Sequence, residues 1–324
     1  AWCVVRKVFP WAHRKWFTHQ APRATFLLAA ALILARQPSP AATVQLTPVA
    51  DTTLSEYFPL NNFGQCDFLI FGTSERGKGN RALVKFDFAT IPPGARIDSA
   101  TLKIEVTRVP NNGFTPTEVG VYRLRVPWGE GSKTNPPGPT QGQGQPATVG
   151  EANWTNRFAF TTNTWARPGG GATNDYIATA SLANTIYYPQ DYTFPVSAPG
   201  NADVQLWLDQ PATNFGWIFV VSNEQDLYTA RRFGSREDSL NTPLLTVDYT
   251  PAPLLTNAII TSNQFQFQFD AEAGRSYAVE TRASFAATNA WTPLTNFPAA
   301  PADTNRMVRD SISQTQRFYR LITP

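Results

Sequence analysis

Arginines and carboxylates crowd into one run, Ala230–Tyr249, ARRFGSREDSLNTPLLTVDY, with three arginines and three acids. A guanidinium is a flat fork that meets a carboxylate through two parallel hydrogen bonds. Such a run can therefore do one of two things: pair with its own acids to brace a fold, or receive the carboxylates of an anionic ligand. In an extended strand Arg232, Gly234 and Arg236 share one face, and Arg231, Phe233, Ser235 and Glu237 share the other. Arg236 and Glu237 are expected to form a structural ion pair. Arg232, with Arg81 and Lys85 of an earlier strand, is expected to line a basic groove for a uronate-containing polysaccharide.

A sugar ring also presents a C–H face that stacks on aromatics. Trp165, in the glycine-rich TWARPGGG, and Tyr228, just ahead of the arginines, are the candidate platforms. Trp128 and Trp154 read as anchors of the long loop that carries them. Glu130 and Glu151 flank that loop and could be imagined as an acid–base pair, which would need a separation of roughly 5–9.5 Å. Nothing in their spacing sets that geometry, so no catalytic residue is assigned. Asp51, Asn62 and Asp67 are oxygen ligands that a structural calcium could use, but no calcium-loop pattern accompanies them, and no metal site or cofactor is assigned.

The chemistry available depends on where the mature chain begins. Arg6, Lys7, Arg14, Lys15 and Arg23 precede the apolar run Phe26–Ala35, and Ser39-Pro40-Ala41 is a small-residue cleavage site. This is the pattern of a secretory signal peptide over residues 1–41; the run is too short to span a bilayer as a helix. Its removal takes away His13, His19, Cys3 and six basic residues, leaving 21 basic and 24 acidic side chains. The formal net charge moves from +3 to −3, which removes the main support for nucleic-acid binding. Without histidine there is no Ser-His-Asp triad and no His-bound zinc. Cys66 has no partner for an internal disulfide and reads as a small buried residue. No further apolar segment suggests a membrane partner. The expected location is extracellular.

Elements that must position these groups are short strands. NRALVKFDF places Ala82, Val84, Phe86 and Phe88 on one face and Arg81, Leu83, Lys85 and Asp87 on the other. ATLKIEVTR turns Leu102, Ile104 and Val106 inward. This period of two, punctuated by Gly and Pro, predicts antiparallel strands. DFLIFG, TEVGVYRLR, DYIATASL, DYTFPV, ARRFGSRE and PLLTVDYT read as further strands, FGWIFVVSN as a fully buried one, and NADVQLWLDQ as one short helix with Asn201 as a candidate cap. Residues 126–173 break the pattern with Gly, Pro and Gln; a connection this long is commonly functional or disordered. The fold class is all-β: a jelly-roll-like β-sandwich over 42–250, a linker over 251–256, and a small β module over 257–324.

These residues also resemble a known family. The succession ADTTL, NNFG, LIFGTS and RALVKFDFATIPPGARIDSATLKIEV, followed by VYRLRVPWGEG, VQLWLDQPATNFGWIF and RRFGSRE, is similar to the secreted bacterial β-sandwiches called DNRLRE domains, which are related to carbohydrate-binding module family 96. The resemblance covers about residues 44–250. It implies a non-catalytic module of a secreted protein, with alginate-like acidic polysaccharide as ligand. The C-terminal GRSYAVETRASFAATNAWTPL and RFYRL resemble small Ig-like or fibronectin-like modules. An extracellular structural or adhesive sandwich that binds no sugar is the alternative, and a carboxylate-based glycosidase or lyase is a third reading.

Overall fold

The computed structural model describes residues 2–6, 41–136, 142–284, 290–312 and 316–323. Residues 7–40, most of the expected signal peptide, lie outside the described residues. The fold is nearly all β and is that of an all-β sandwich. The described chain divides into two compact units, one within 41–251 and a second made of the described part of 252–324 with residues 2–6. Among the described residues no helix is long and apolar enough to cross a membrane.

In chain order, β1 (Trp2–Arg6) belongs to the second unit. The first contains β2 (Ala42–Leu46), β3 (Pro48–Ser55), β4 (Asn61–Asn62), β5 (Phe68–Thr73), β6 (Gly79–Phe86), β7 (Arg96–Arg108), β8 (Thr117–Arg123), β9 (Gln145–Pro146), β10 (Leu182–Ile186), β11 (Gln190–Phe194), α1 (Ala198–Asp209), β12 (Trp217–Val221), β13 (Arg231–Gly234) and β14 (Leu244–Thr250). One layer runs β10-β8-β12-β6, with β3 on the free side of β6; the other runs β5-β13-β7-β14-β2, with β11 also on β7. All these pairings are antiparallel.

β5 belongs to both layers. Phe68–Phe71 pair with β13, while Gly72 and Thr73 pair with β6. The strand turns the corner at Gly72, whose φ is +90°, and a Cβ there would lie 2.3 Å from the Thr229 carbonyl oxygen. Only glycine fits such a bend.

The predicted alternation places the core between the layers. Ala82, Val84 and Phe86 of β6, Leu102, Ile104 and Val106 of β7, and Phe233 of β13 are all buried there. β12 is buried along its whole length because it has apolar contacts on both sides. Trp217, Phe219 and Val221 enter the main core; Ile218 and Val220 join Leu54, Leu83, Leu124 and Trp165 in a second cluster. The long segment after β8 supplies the cover for that outer face, with Trp128 and Trp154 packed against it. The long segment, with Trp128 and Trp154 as the anchors they were expected to be, is thus, where described, a third layer.

Three local expectations are corrected. The helix cap is Ser197, whose Oγ accepts from Gly200 N at 3.0 Å; Asn201 instead accepts from Ala100 N and donates to Asp98 O, tying α1 to β7. DYIATASL is not a strand: β10 begins only at Leu182. ARRFGSRE is a strand only through Gly234, because Ser235 Oγ donates to Cys66 O and accepts from Glu237 N, closing a turn. Arg236 therefore lies beyond the strand face it was expected to share with Arg232.

The second unit pairs β1 with β20 (Gln316–Ile322); β20 adjoins β17 (Tyr277–Arg282), which in turn pairs with β18 (Thr292–Phe297), and β15 (Thr256–Thr261), β16 (Gln264–Ala271) and β19 (Thr304–Ser311) form another sheet. Phe265, Phe267, Phe269, Tyr277, Val279 and Tyr319 make its core.

Gly72→Ala is expected to destabilise the chain by at least about 2 kcal/mol, from positive-φ strain and the clash with Thr229. Denaturant unfolding measures it; a loss under about 0.5 kcal/mol, the usual scale of a surface change, would overturn the corner account.

Candidate functional site

β13 lies between β5 and β7 and alternates as a strand must. Phe233 points inward and stacks near Phe71 and Phe219, with ring centroids 5.6 and 5.3 Å away. Arg231 shares that inward face and is fully buried. Its Nη1 donates to the carbonyls of Tyr228 and Ala230, and its Nη2 to those of Thr115 and Ile186 at 2.7 and 3.2 Å. Among the described residues it has no carboxylate partner. Burial pulls its pKa down to about 10, so it still carries its charge at neutral pH.

Arg232 faces outward. Its guanidinium carbon sits 3.4 Å from the centroid of the Phe68 ring, and its Nη2 is 3.8 Å from Asp67 on the exposed rim. Flat contact of a guanidinium with an aromatic face is favourable. The cross-strand neighbour of Arg232 is Arg108, at the end of β7. Burial first, and Arg108 among the nearby charges, lower the Arg232 pKa. Two like charges held side by side favour an anion between or above them.

Around this pair lies a groove of about 470 Å³, lined by Phe68, Ile70, Glu75, Arg108, Asn112 and Arg232 among others, with Gly142 of the long segment at its side. Among its described lining residues three are arginines, counting buried Arg231, and Glu75 is the one acid. Arg108 and Asn112 were not anticipated from sequence. Arg108 ends an alternating strand and precedes PNNGF, which marks a turn, but nothing local shows that β13 will pair beside it.

The other expected binding residues are not brought here. Arg81 lies on β6, in the other layer, with its side chain 11% exposed. It makes a bidentate pair with Glu224 at 2.8 and 2.7 Å and donates Nη1 to the carbonyls of Gly169 and Gly170. Burial would lower its pKa, but the pair with Glu224 outweighs burial and raises it. This is a brace for the covering layer, not a ligand group. Lys85 lines a separate depression of about 380 Å³ beside Trp207, Leu208 and Pro211. The single groove of Arg81, Lys85 and Arg232 is therefore not formed, because β6 and β13 belong to different layers.

Trp165 is 4% exposed and donates its indole N–H to Asn153 O at 2.9 Å. It anchors the loop and cannot offer a face to a sugar. Trp128 is anchored likewise, through Phe215 O at 2.8 Å. Tyr228 is half-buried at φ +63°; its carbonyl accepts from Thr115 N and Arg231, and its role is to shape the turn entering β13.

Arg236 and Glu237 meet at 2.9 Å, and the same Nη2 reaches Glu130 at 3.0 Å. Asp51, fully buried, accepts from Arg236 N at 2.7 Å with Oδ2, while its Oδ1 has no partner among the described residues. Burial pushes the Asp51 carboxyl up to about 8. Burial likewise raises Glu130. Glu151 accepts from Thr148 N and Ser132 N; these bonds outweigh burial and lower its pKa. Neither Glu130 nor Glu151 lines the groove. Asn62 spends its amide on Glu130 O, Ala152 O, Gly64 N and Lys133 N, Asp51 N also donates to Glu130, and Asp67 stands apart by Arg232. Among the described residues no group of 3 or more His, Cys, Asp or Glu side chains could hold a metal ion. Cys66 is buried and its thiol is pushed up to about 12, chiefly by burial, so it is a poor nucleophile.

Asp51 yields a pH prediction. Its ordinary pKa is 3.8 and its folded value is about 8, so the folded state holds the proton more tightly. The stability this contributes is complete below the ordinary value and is lost as pH rises through the folded one. Asp51→Asn should flatten that decline and raise the unfolding midpoint in alkaline buffer relative to the native chain. Thermal unfolding across a pH series checks it; parallel curves for the two proteins would contradict it.

No curated protein sequence matches the chain. Residues 42–160 match the family model of carbohydrate-binding module family 96, a stretch that includes Phe68, Ile70, Glu75, Arg108 and Asn112 of the groove and stops short of Arg231 and Arg232. The first part of the sandwich unit is thus related to that family.

Proposed function

We propose that the sandwich unit is a non-catalytic carbohydrate-binding module of a secreted protein, and that it takes an acidic, uronate-containing polysaccharide in the groove beside β13. The observation that carries this reading is the paired Arg108 and Arg232 at the mouth of a groove with a single acid, in a unit related to a carbohydrate-binding family. An Arg pair at fixed spacing suits a carboxylate-bearing chain. Phe114, 39% exposed on the loop after β7, is the aromatic nearest in sequence to the groove that could meet a sugar face. Similarity to DNRLRE domains supports the same reading. Similarity of the second unit to Ig-like modules makes it an accessory element in this scheme.

One observation favours a different role. The tryptophans Trp128 and Trp165 serve as anchors, which suits a structural or adhesive spacer.

Affinity electrophoresis of the purified chain in alginate, pectin and neutral glucan gels separates the two. Retardation by the uronate polymers, fading with salt, is expected. Arg232→Ala and Arg108→Ala should each weaken it about tenfold, the scale of a charge-assisted hydrogen bond. Lys85→Ala, in the separate depression, should not. Retardation by neutral glucans alone would overturn the uronate assignment, and none by any polymer would leave the spacer role.

A further inference from the structure

We propose that Asn112–Gly113 is a spontaneous modification site whose conversion places a new carboxylate on the rim of the arginine groove. It is the one Asn-Gly step in the chain. Both residues are exposed, in the loop between β7 and β8. Gly113 has φ +105°, and nothing lies within 4 Å of where a Cβ would be. A glycine nitrogen carries no neighbouring side chain to block it, and its backbone turns freely. Such a nitrogen can reach the side-chain carbonyl carbon of the preceding residue.

Each atom in the step is accounted for. The Gly113 backbone nitrogen attacks Asn112 Cγ, and the N–Cγ bond forms. The Cγ–Nδ2 bond breaks, and Nδ2 departs as ammonia with the proton lost by the Gly113 amide. Solvent water then opens the cyclic imide at one of its two carbonyls. One opening leaves aspartate; the other leaves isoaspartate, with the main chain lengthened by one carbon.

The position gives this chemistry a consequence. Asn112 lines the groove, and its Nδ2 donates to Glu75 Oε2 at 3.2 Å. Conversion replaces that donor with an acceptor, so two carboxylates face each other where a hydrogen bond stood. The groove then carries two acids against its three arginines instead of one. Repulsion from Glu75 moves the loop outward, and the added charge opposes an incoming anion. Arg108 also donates to the neighbouring Asn111 Oδ1 at 3.3 Å, so a displaced loop disturbs one of the two arginines that face the ligand. The effect on binding rests on the carbohydrate reading above; the modification does not.

The test ages the full chain in mildly alkaline buffer and follows residues 109–116 by peptide mass spectrometry, with fragmentation that tells isoaspartate from aspartate. Fresh and aged chains are run in alginate gels, beside Asn112→Asp and Asn112→Gln. Conversion concentrated at residue 112 is expected. Aged chain and Asn112→Asp should bind about threefold more weakly than fresh chain at low salt, with the gap closing at high salt. Asn112→Gln should show no change on ageing, because its longer side chain would need a larger ring. Absence of conversion at residue 112 would overturn the site. Conversion with unchanged mobility would overturn its link to the groove. A fresh chain that alginate does not retard overturns the carbohydrate reading and the link with it, while the masses still decide the site.

Discussion

The β3-β6-β12-β8 layer is apolar on both faces, and water cannot be allowed to reach either. The inner face is closed by the second layer. The outer face carries Leu54, Leu83, Ile218 and Val220, and a connection with little regular structure must cover it. Such a connection exposes many backbone groups that need partners. Arg81 meets part of that need by donating to the carbonyls of Gly169 and Gly170 while Glu224 neutralises its charge. Trp165 and Trp128 meet more of it with their indole N–H groups. Side chains that look suited to ligands are committed because the cover could not form without them.

That commitment decides where recognition is left possible. Outward-facing Arg232, on the opposite layer, makes no such brace to the covering segment among the described residues. Arg232 rests on Phe68, which it shields, and stands next to Arg108; among the described residues its ion-pair contact is the long one to Asp67. Beneath it, Arg231 keeps its charge with carbonyl oxygens alone, so the floor of the groove stays positive. At the other end of the same segment the balance reverses: Arg236 is shared by Glu130 and Glu237 and its backbone holds Asp51. One six-residue stretch thus contains a buried cation, an outward-facing cation and a structural cation. Strand alternation separates the first two; the turn at Ser235 separates the third.

Much of the core was legible in the residues. Alternation in β6 and β7 named the buried side chains, because a strand repeats every two residues and one face must be dry. The unbroken apolar run of β12 told of burial on both sides, though not that the segment after β8 provides the outer cover. The helix was visible, yet its cap was missed, since Ser197 and Asn201 are both good caps and only the contact of Asn201 with β7 distinguishes them. Trp165 looked like a platform because its glycine-rich surroundings resemble an open loop; its burial depends on a face formed by β6 and β12, more than fifty residues away on either side.

The sequence by itself determined the all-β class, the inward faces, and the presence of arginines that could meet carboxylates. Only the tertiary structure decided which arginines are neighbours. Arg81 and Arg232 look equivalent along the chain, but β6 and β13 fall in different layers, while Arg108 comes beside Arg232 through a pairing between residues far apart. Side-chain period is a local property, fixed by backbone geometry. Strand order in an antiparallel sandwich is set by the packing of the whole core, and that is where the groove is made.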